Sequence, residues 1–295
     1  MKSNISQKEI NSGKIIINLV KKTNPLLSPH SLKKIIPEYK YFLPHINQYG
    51  LWISSHFNKN KNKKYDKIIF LLNGLAASGK DSLYYEITKL APSLLFKTIT
   101  GTSRLPRENE KNGIDYLFYK NKSEFKKDIT KGEFIEYIKR GETYYGLPKK
   151  SLELALKQPK PIIYCQIEMS GWKKLEEYIF SLDKNILIIR SFVLPYMTLT
   201  NYLEWLIQNR INDEITSRIN KSGWEIKIAP TMADFFISNR INSNIPTLTY
   251  SAKTIVNLLI SFLKSNKIKK FSTPTDNLKP TLSVVKIVES HNSLV

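Results

Sequence analysis

Lys67-Ile-Ile-Phe-Leu-Leu-Asn-Gly-Leu-Ala-Ala-Ser-Gly-Lys-Asp-Ser82 joins an apolar run to a glycine-rich turn and then to an amphipathic stretch. The turn carries Gly74, Gly79 and Lys80 at the spacing of the phosphate-binding pattern G-x-x-x-x-G-K-[ST]. Glycines let backbone N–H groups close on phosphate oxygens, the lysine reaches the terminal phosphates, and a hydroxyl after the lysine holds Mg²⁺. Here Asp81 occupies that last position, with Ser82 one residue out of register and Ser78 inside the loop. A carboxylate beside a triphosphate is repulsive unless a cation lies between them.

Outward from this loop, apolar runs at Ile68–Leu72, Ile162–Ile167, Ile186–Ile189 and Phe235–Ile237 have the length and continuity of strands buried on both faces. Helical patterns at Asp81–Leu90, Trp172–Ser181, Leu199–Asn209 and Ala252–Leu263 fall between or after them. The alternation predicts an α/β domain with a parallel sheet flanked by helices over residues 65–263.

Residues 1–64 carry twelve lysines against Glu9 and Glu38 and read as a basic extension with short helical pieces, ending in the linker Asn58-Lys-Asn-Lys-Asn-Lys-Lys64. Residues 264–295 read as a flexible tail with one short strand pattern at Leu282–Val288. The net charge of +21 leaves two readings open. One is a polyanion contact by the basic N-terminal arm; the other is scattered surface lysine in a Lys-, Asn- and Ile-rich composition. A single cysteine, Cys165, excludes an intramolecular disulfide framework and a cysteine zinc site. No apolar run is long enough to span a membrane, so a cytoplasmic protein is expected.

Four further segments follow the loop in order: Thr100-Gly-Thr-Ser-Arg-Leu-Pro-Arg-Glu-Asn-Glu110, Asn112-Gly-Ile-Asp-Tyr-Leu-Phe118, Gly132-Glu-Phe-Ile-Glu136 and Tyr144-Tyr-Gly146. With the loop, they resemble the guanylate kinase family, whose GMP-binding segment reads S-x-T-T-R-x-P-R-x-x-E-x-x-G-x-D-Y-x-F, followed by G-x-F-x-E and Y-Y-G-S. The resemblance covers about residues 67–262. It implies a P-loop core, an inserted lobe for a nucleoside monophosphate at about 101–158, and a lid at about 196–222.

Carried onto this chain, the resemblance places Arg104 and Arg107 on the GMP phosphate, where guanidinium forks make bidentate charge-assisted bonds. It adds the hydroxyls of Tyr116 and Tyr145, with Glu110 beside the arginines. Glu136 and Glu168 fall on the guanine-reading carboxylates. Gly101 and Leu147 replace the family's two base-contacting serines, and Gln166 replaces an aspartate near the Mg²⁺ shell. Asp81, with Gln166 acting through water, is the candidate metal position, and an altered site without metal is the rival reading. Lys80, Arg210 and Arg218 are implied to neutralise the transferring phosphoryl group; Trp205 stands where another basic residue is expected. Asn239, in Asp234-Phe-Phe-Ile-Ser-Asn239, falls near the ATP adenine. The expected activity is transfer from ATP to GMP or dGMP with Mg²⁺. A kinase for another phosphorylated compound, such as a ribose bisphosphate, and a catalytically impaired binding module are the alternatives.

Overall fold

The computed structural model describes residues 51–53, 65–195, 202, 205–206, 215–239 and 247–265. They divide into two compact units, one including Gly74–Tyr84 and Phe192–Ala252 and the other including Tyr85–Ser191. Readings for the rest of residues 1–64, for the tail from residue 266 and for the strand at Leu282–Val288 lie outside the described residues, as does Arg210.

In chain order, β1 (Leu51–Ile53) and β2 (Lys67–Gly74) precede α1 (Lys80–Leu90) and β3 (Leu95–Lys97). Then come β4 (Gly101–Thr102), β5 (Leu117–Phe118), α2 (Lys122–Thr130), β6 (Phe134–Arg140), β7 (Thr143–Pro148) and α3 (Lys149–Lys157). β8 (Ile162–Cys165), a 3-10 turn at Met169–Gly171, α4 (Trp172–Ser181) and β9 (Ile186–Pro195) follow. α5 (Ile215–Met232), β10 (Phe235–Asn239) and α6 (Thr247–Ser265) complete the described chain.

In the unit holding Tyr85–Ser191, the strand order is β9-β2-β8-β3. β8 pairs parallel with β2, Ile68 opposite Ile162 and Leu71 opposite Cys165, and parallel with β3 on its other side. Every residue of β2 after Lys67 is buried, as a strand covered on both faces requires. Trp172, Leu175 and Ile179 on α4 bury one helical stripe, which fixes that helix by its apolar face. Each such side chain removed from water contributes about 1.5–3 kcal/mol before entropy is counted.

The same unit carries a second sheet, in the order β5-β4-β7-β6. β7 runs antiparallel to both β4 and β6, and β6 slips register between Phe134 and Glu136. That irregularity breaks the in–out alternation, so Phe134, Ile135 and Glu136 are all buried. Tyr119, Phe125 and Phe134 pack together, with the Phe125 and Phe134 rings stacked at 4.5 Å.

In the other unit β10 lies between β1 and the end of β9. β1 runs antiparallel to β10, Leu51 opposite Ile237 and Ile53 opposite Phe235. Periodicity does not mark this three-residue strand inside a basic extension. β9 also runs beyond the apolar run that announces it, to Pro195, because Arg190 and Ser191 interrupt the hydrophobic pattern. Arg190 is accommodated by an ion pair with Glu176.

Candidate active site

The phosphate loop is built from close backbone approaches. A Cβ on Gly74 would stand 2.3 Å from the Val193 carbonyl oxygen, and one on Gly79 would stand 2.5 Å from Asn239 Nδ2. Gly79 also has φ +80°, a conformation costly for other residues. Three side chains take successive loop carbonyls: Tyr202 Oη donates to Ala76 O at 3.1 Å, Trp205 Nε1 to Ala77 O at 3.1 Å, and Asn239 Nδ2 to Ser78 O at 2.8 Å. Because C=O and the following N–H point opposite ways in a trans peptide, pinning these carbonyls turns the amides of Ala77 and Gly79 to the opposite side. This is how such loops present donors to an anion.

Lys80 Nζ donates to the carbonyls of Gly74 and Leu75, 2.9 Å each, and so is folded over the loop. Ser78 is fully buried, and its hydroxyl has no protein partner among the described residues. Asp81 and Ser82 are exposed in the first turn of α1, where a negative charge is favoured by the helix dipole. Asn239, which resemblance sets near the adenine, is buried against the loop itself.

In the other unit, the guanidinium of Arg104 is gripped at both terminal nitrogens by Glu110, at 2.5 and 2.6 Å. Glu110 Oε2 also accepts from the Arg107 amide at 2.9 Å. The Arg104 bonds hold the Glu110 carboxyl down at about 2 and raise Arg104 further above its ordinary range. The Arg104 guanidinium lies over the Tyr116 ring at 5.1 Å, and Tyr145 bonds it as well. The Tyr116 and Tyr145 rings are 6.2 Å apart, edge on. Arg104 Nε is buried with no protein acceptor among the described residues, a donor that a bound anion would satisfy. Arg104, Arg107, Glu110, Tyr116 and Tyr145 thus stand in one cluster.

Beside this cluster Glu136 is 5% exposed, held by the Leu147 amide, and its Oε2 is buried with no hydrogen-bond partner among the described residues. Burial raises its carboxyl to about 7, against smaller opposing effects of that amide, Lys174 and Arg140. A Cβ on Gly171 would come within 2.9 Å of Glu136 Oε2, so any side chain there would press the carboxylate from its position. Glu168 is mostly buried and ion-paired with Arg140. Gln166 follows β8 and is half-buried.

The guanylate kinase family model matches residues 66–192. The guanylate kinase of Malacoplasma penetrans is 32% identical over 183 residues, 61% of this chain and 88% of that protein. The chain belongs to the guanylate kinase family. The guanylate kinase of Clostridioides difficile is 27% identical over 210 residues, covering 69% of this chain and 91% of its own. A crystal structure of guanylate kinase from Anaplasma phagocytophilum aligns with a TM-score of 0.45 at 19% identity, over 79% of this chain and 98% of that one.

As a guanylate kinase relative the chain departs from the family motif in ways its geometry explains. On the motif's spacing the serine position is Thr100, not Gly101; Gly101, at the variable position after it, is buried, and a Cβ there would meet Tyr119 at 3.0 Å, Phe134 at 3.3 Å and Phe125 at 3.4 Å. Leu147 is fully buried and serves the site through its amide instead of a hydroxyl. Trp205, where a basic lid residue is expected, bonds the phosphate loop. Tyr202 and Gly171 escaped the sequence reading: one is an aromatic in an amphipathic stretch, the other a glycine in a turn, and only spatial proximity reveals either. Arg218 lies on α5.

Proposed function

We propose that the chain is an ATP-dependent nucleoside-monophosphate kinase transferring the γ-phosphoryl group of ATP to GMP or dGMP. Family membership supports a nucleotide kinase of guanylate kinase type. The observation that carries the acceptor is the Arg104 cluster: a guanidinium oriented by Glu110, Tyr116 and Tyr145, with a buried donor left for an anion. Beside it stands the buried, half-satisfied carboxylate of Glu136, which suits the N1 and N2 hydrogens of guanine. Phosphoryl transfer needs positioning and charge neutralisation rather than a covalent nucleophile, and this site offers arginines, a lysine and backbone amides.

In this reading Lys80 leaves the Gly74 and Leu75 carbonyls to meet the terminal phosphates. Arg210 and Arg218 are proposed to neutralise the moving phosphoryl group. Mg²⁺ takes oxygen donors, one or two carboxylates with waters and phosphate oxygens. The exposed carboxylate of Asp81, next to Lys80 at the start of α1, fits that donor set. Held there, Mg²⁺ would supply positive charge against the phosphates. The supply of ATP and acceptor sets the cytoplasm as the proposed place of action. Among the described residues no helix is long and apolar enough to cross a membrane.

A second reading, a nucleotide-binding module without turnover, is favoured by the helix dipole, which gives Asp81 a structural reason to stand where it does. ADP release from Mg-ATP, measured with GMP, dGMP, AMP, UMP, CMP and a ribose bisphosphate, separates the two. No Lys80-dependent release with any acceptor, judged against Lys80→Ala, would sink the kinase reading. Loss of Mg²⁺-dependent turnover in Asp81→Ser would make Asp81 a ligand; a sharp rise would make it a lesion.

A further inference from the structure

We infer that Arg140 is a specificity-determining residue of the acceptor pocket, donating to the 6-oxo oxygen of the purine while Glu136 and Glu168 accept from its N–H groups. This rests on the acceptor reading above. Arg140 is the last residue of β6, on the strand that carries Glu136. Its guanidinium pairs with Glu168 and lies over the Tyr145 ring at 5.5 Å. One side chain therefore touches two of the nucleotide-binding candidates and acts electrostatically on a third, Glu136.

The chemistry of the pocket calls for a donor there. On its Watson–Crick edge guanine presents one acceptor, O6, beside the N1 and N2 hydrogens, so a pocket of carboxylates alone leaves O6 unmet. Of the two hydroxyls that the family motif would supply, the second is absent because Leu147 is apolar and fully buried, while Thr100, half-buried, keeps one at the first position. The cations acting on Glu136 are Lys174 and, more weakly, Arg140. Lys174 lies over the Tyr137 ring at 5.7 Å, and Tyr137 alternates away from the neighbouring Glu136 along the strand. Arg140, by contrast, is engaged with Glu168 and Tyr145. A guanidinium has five N–H donors in a rigid fork, so it can hold Glu168 with one edge and offer another to a base. Its side chain is 46% exposed against 12% for Glu168, which leaves room for that second contact. Adenine, with an amino group in place of the oxo oxygen, would set a donor against the cation.

Calorimetric titration of the full chain with GMP and with 6-thio-GMP, whose sulfur is a weak acceptor, tests the assignment. Arg140→Met is expected to weaken GMP about tenfold and 6-thio-GMP less than twofold, as the worth of a well-made guanidinium–base contact predicts. Arg140→Lys, which keeps the charge beside Glu168 and loses the fork, is expected to weaken GMP about threefold. Equal losses for both nucleotides would mean that Arg140 acts only by holding Glu168, and unchanged GMP affinity would mean that it does nothing for the base. Either result overturns this assignment and leaves the acceptor reading standing. Wild-type protein that fails to bind GMP overturns both. Thermal melting of each variant confirms that the comparison is between folded proteins.

Discussion

Gly171 leaves the space that the Glu136 carboxylate fills: a Cβ on the glycine would sit 2.8 Å from Glu136 Cγ and 2.9 Å from Oε2. Gly171→Ala is therefore expected to push Glu136 out of place. The overpacking costs about 1–3 kcal/mol, and GMP affinity should fall more than ATP affinity does. Equal effects on the two nucleotides would show that the contact matters only for packing.

Glu136 makes stability depend on pH. An unfolded glutamate ionises near its ordinary value, whereas in the folded chain burial raises the carboxyl to about 7. Between those values the folded state binds the extra proton, so stability falls as pH rises through the window and levels off above it. Glu136→Gln removes the titration and should gain on the wild type by about 2 kcal/mol between pH 5 and 8. Denaturant midpoints at the two pH values check this; a constant gap would contradict it.

Glu110 acts in the opposite sense. Its carboxyl is held down at about 2, so the stability it contributes is present above the ordinary carboxylate range and lost as pH falls toward that value. Glu110→Ala leaves Arg104 without its carboxylate and should cost about 1.5–3 kcal/mol at neutral pH. It should also raise the KM for GMP, because the guanidinium loses its orientation. Urea unfolding at pH 7 and pH 3 measures the first effect, the second by steady-state kinetics.

Much of this was legible before any coordinates. The loop at Gly74–Ser82 and the order of segments from Arg104 to Tyr145 carry spacing that survives in a single sequence, and buried parallel strands announce themselves as unbroken apolar runs. What was not legible is short or relational. β4 and β5 are two residues each, too brief for any period to register. The partners of Asn239, Tyr202 and Trp205 are loop carbonyls, which leave no mark in the identity of the residues that own them. Arg140 reads as surface charge until Glu168 is brought beside it from the far side of α3 and β8.

Trp205 supplies a test on the ATP side. Trp205→Phe keeps an aromatic ring and removes the Nε1 donor to Ala77 O. Loss of one such bond costs about 0.5–1.5 kcal/mol, and the expected result is a several-fold rise in the KM for ATP with the KM for GMP unchanged. An unaltered ATP constant would show that the loop keeps its shape without this bond.

Gly101→Ser asks whether the aromatic cluster tolerates a side chain beside it. Its Cβ would press on Tyr119 and Phe134, so the variant should lose about 1–3 kcal/mol of stability and gain no GMP affinity. Improved GMP binding without loss of stability would show that the aromatic cluster yields easily.

The slip in β6 between Phe134 and Glu136 gives the pocket an independence from its scaffold. In a strand, facing is decided by the parity of residue count: Glu136 keeps step with the pairing of Tyr137 with Gly146 and of Ile138 with Tyr145, and the one extra residue sets the parity of Phe134 relative to them. Removing the single residue between Phe134 and Glu136 would turn Phe134 to the face opposite Glu136, away from Phe125, while Glu136 and the hairpin after it kept their pairing. Insertion and deletion, rather than substitution alone, can thus rearrange the aromatic cluster around Phe134 while the carboxylate of Glu136 stays in place.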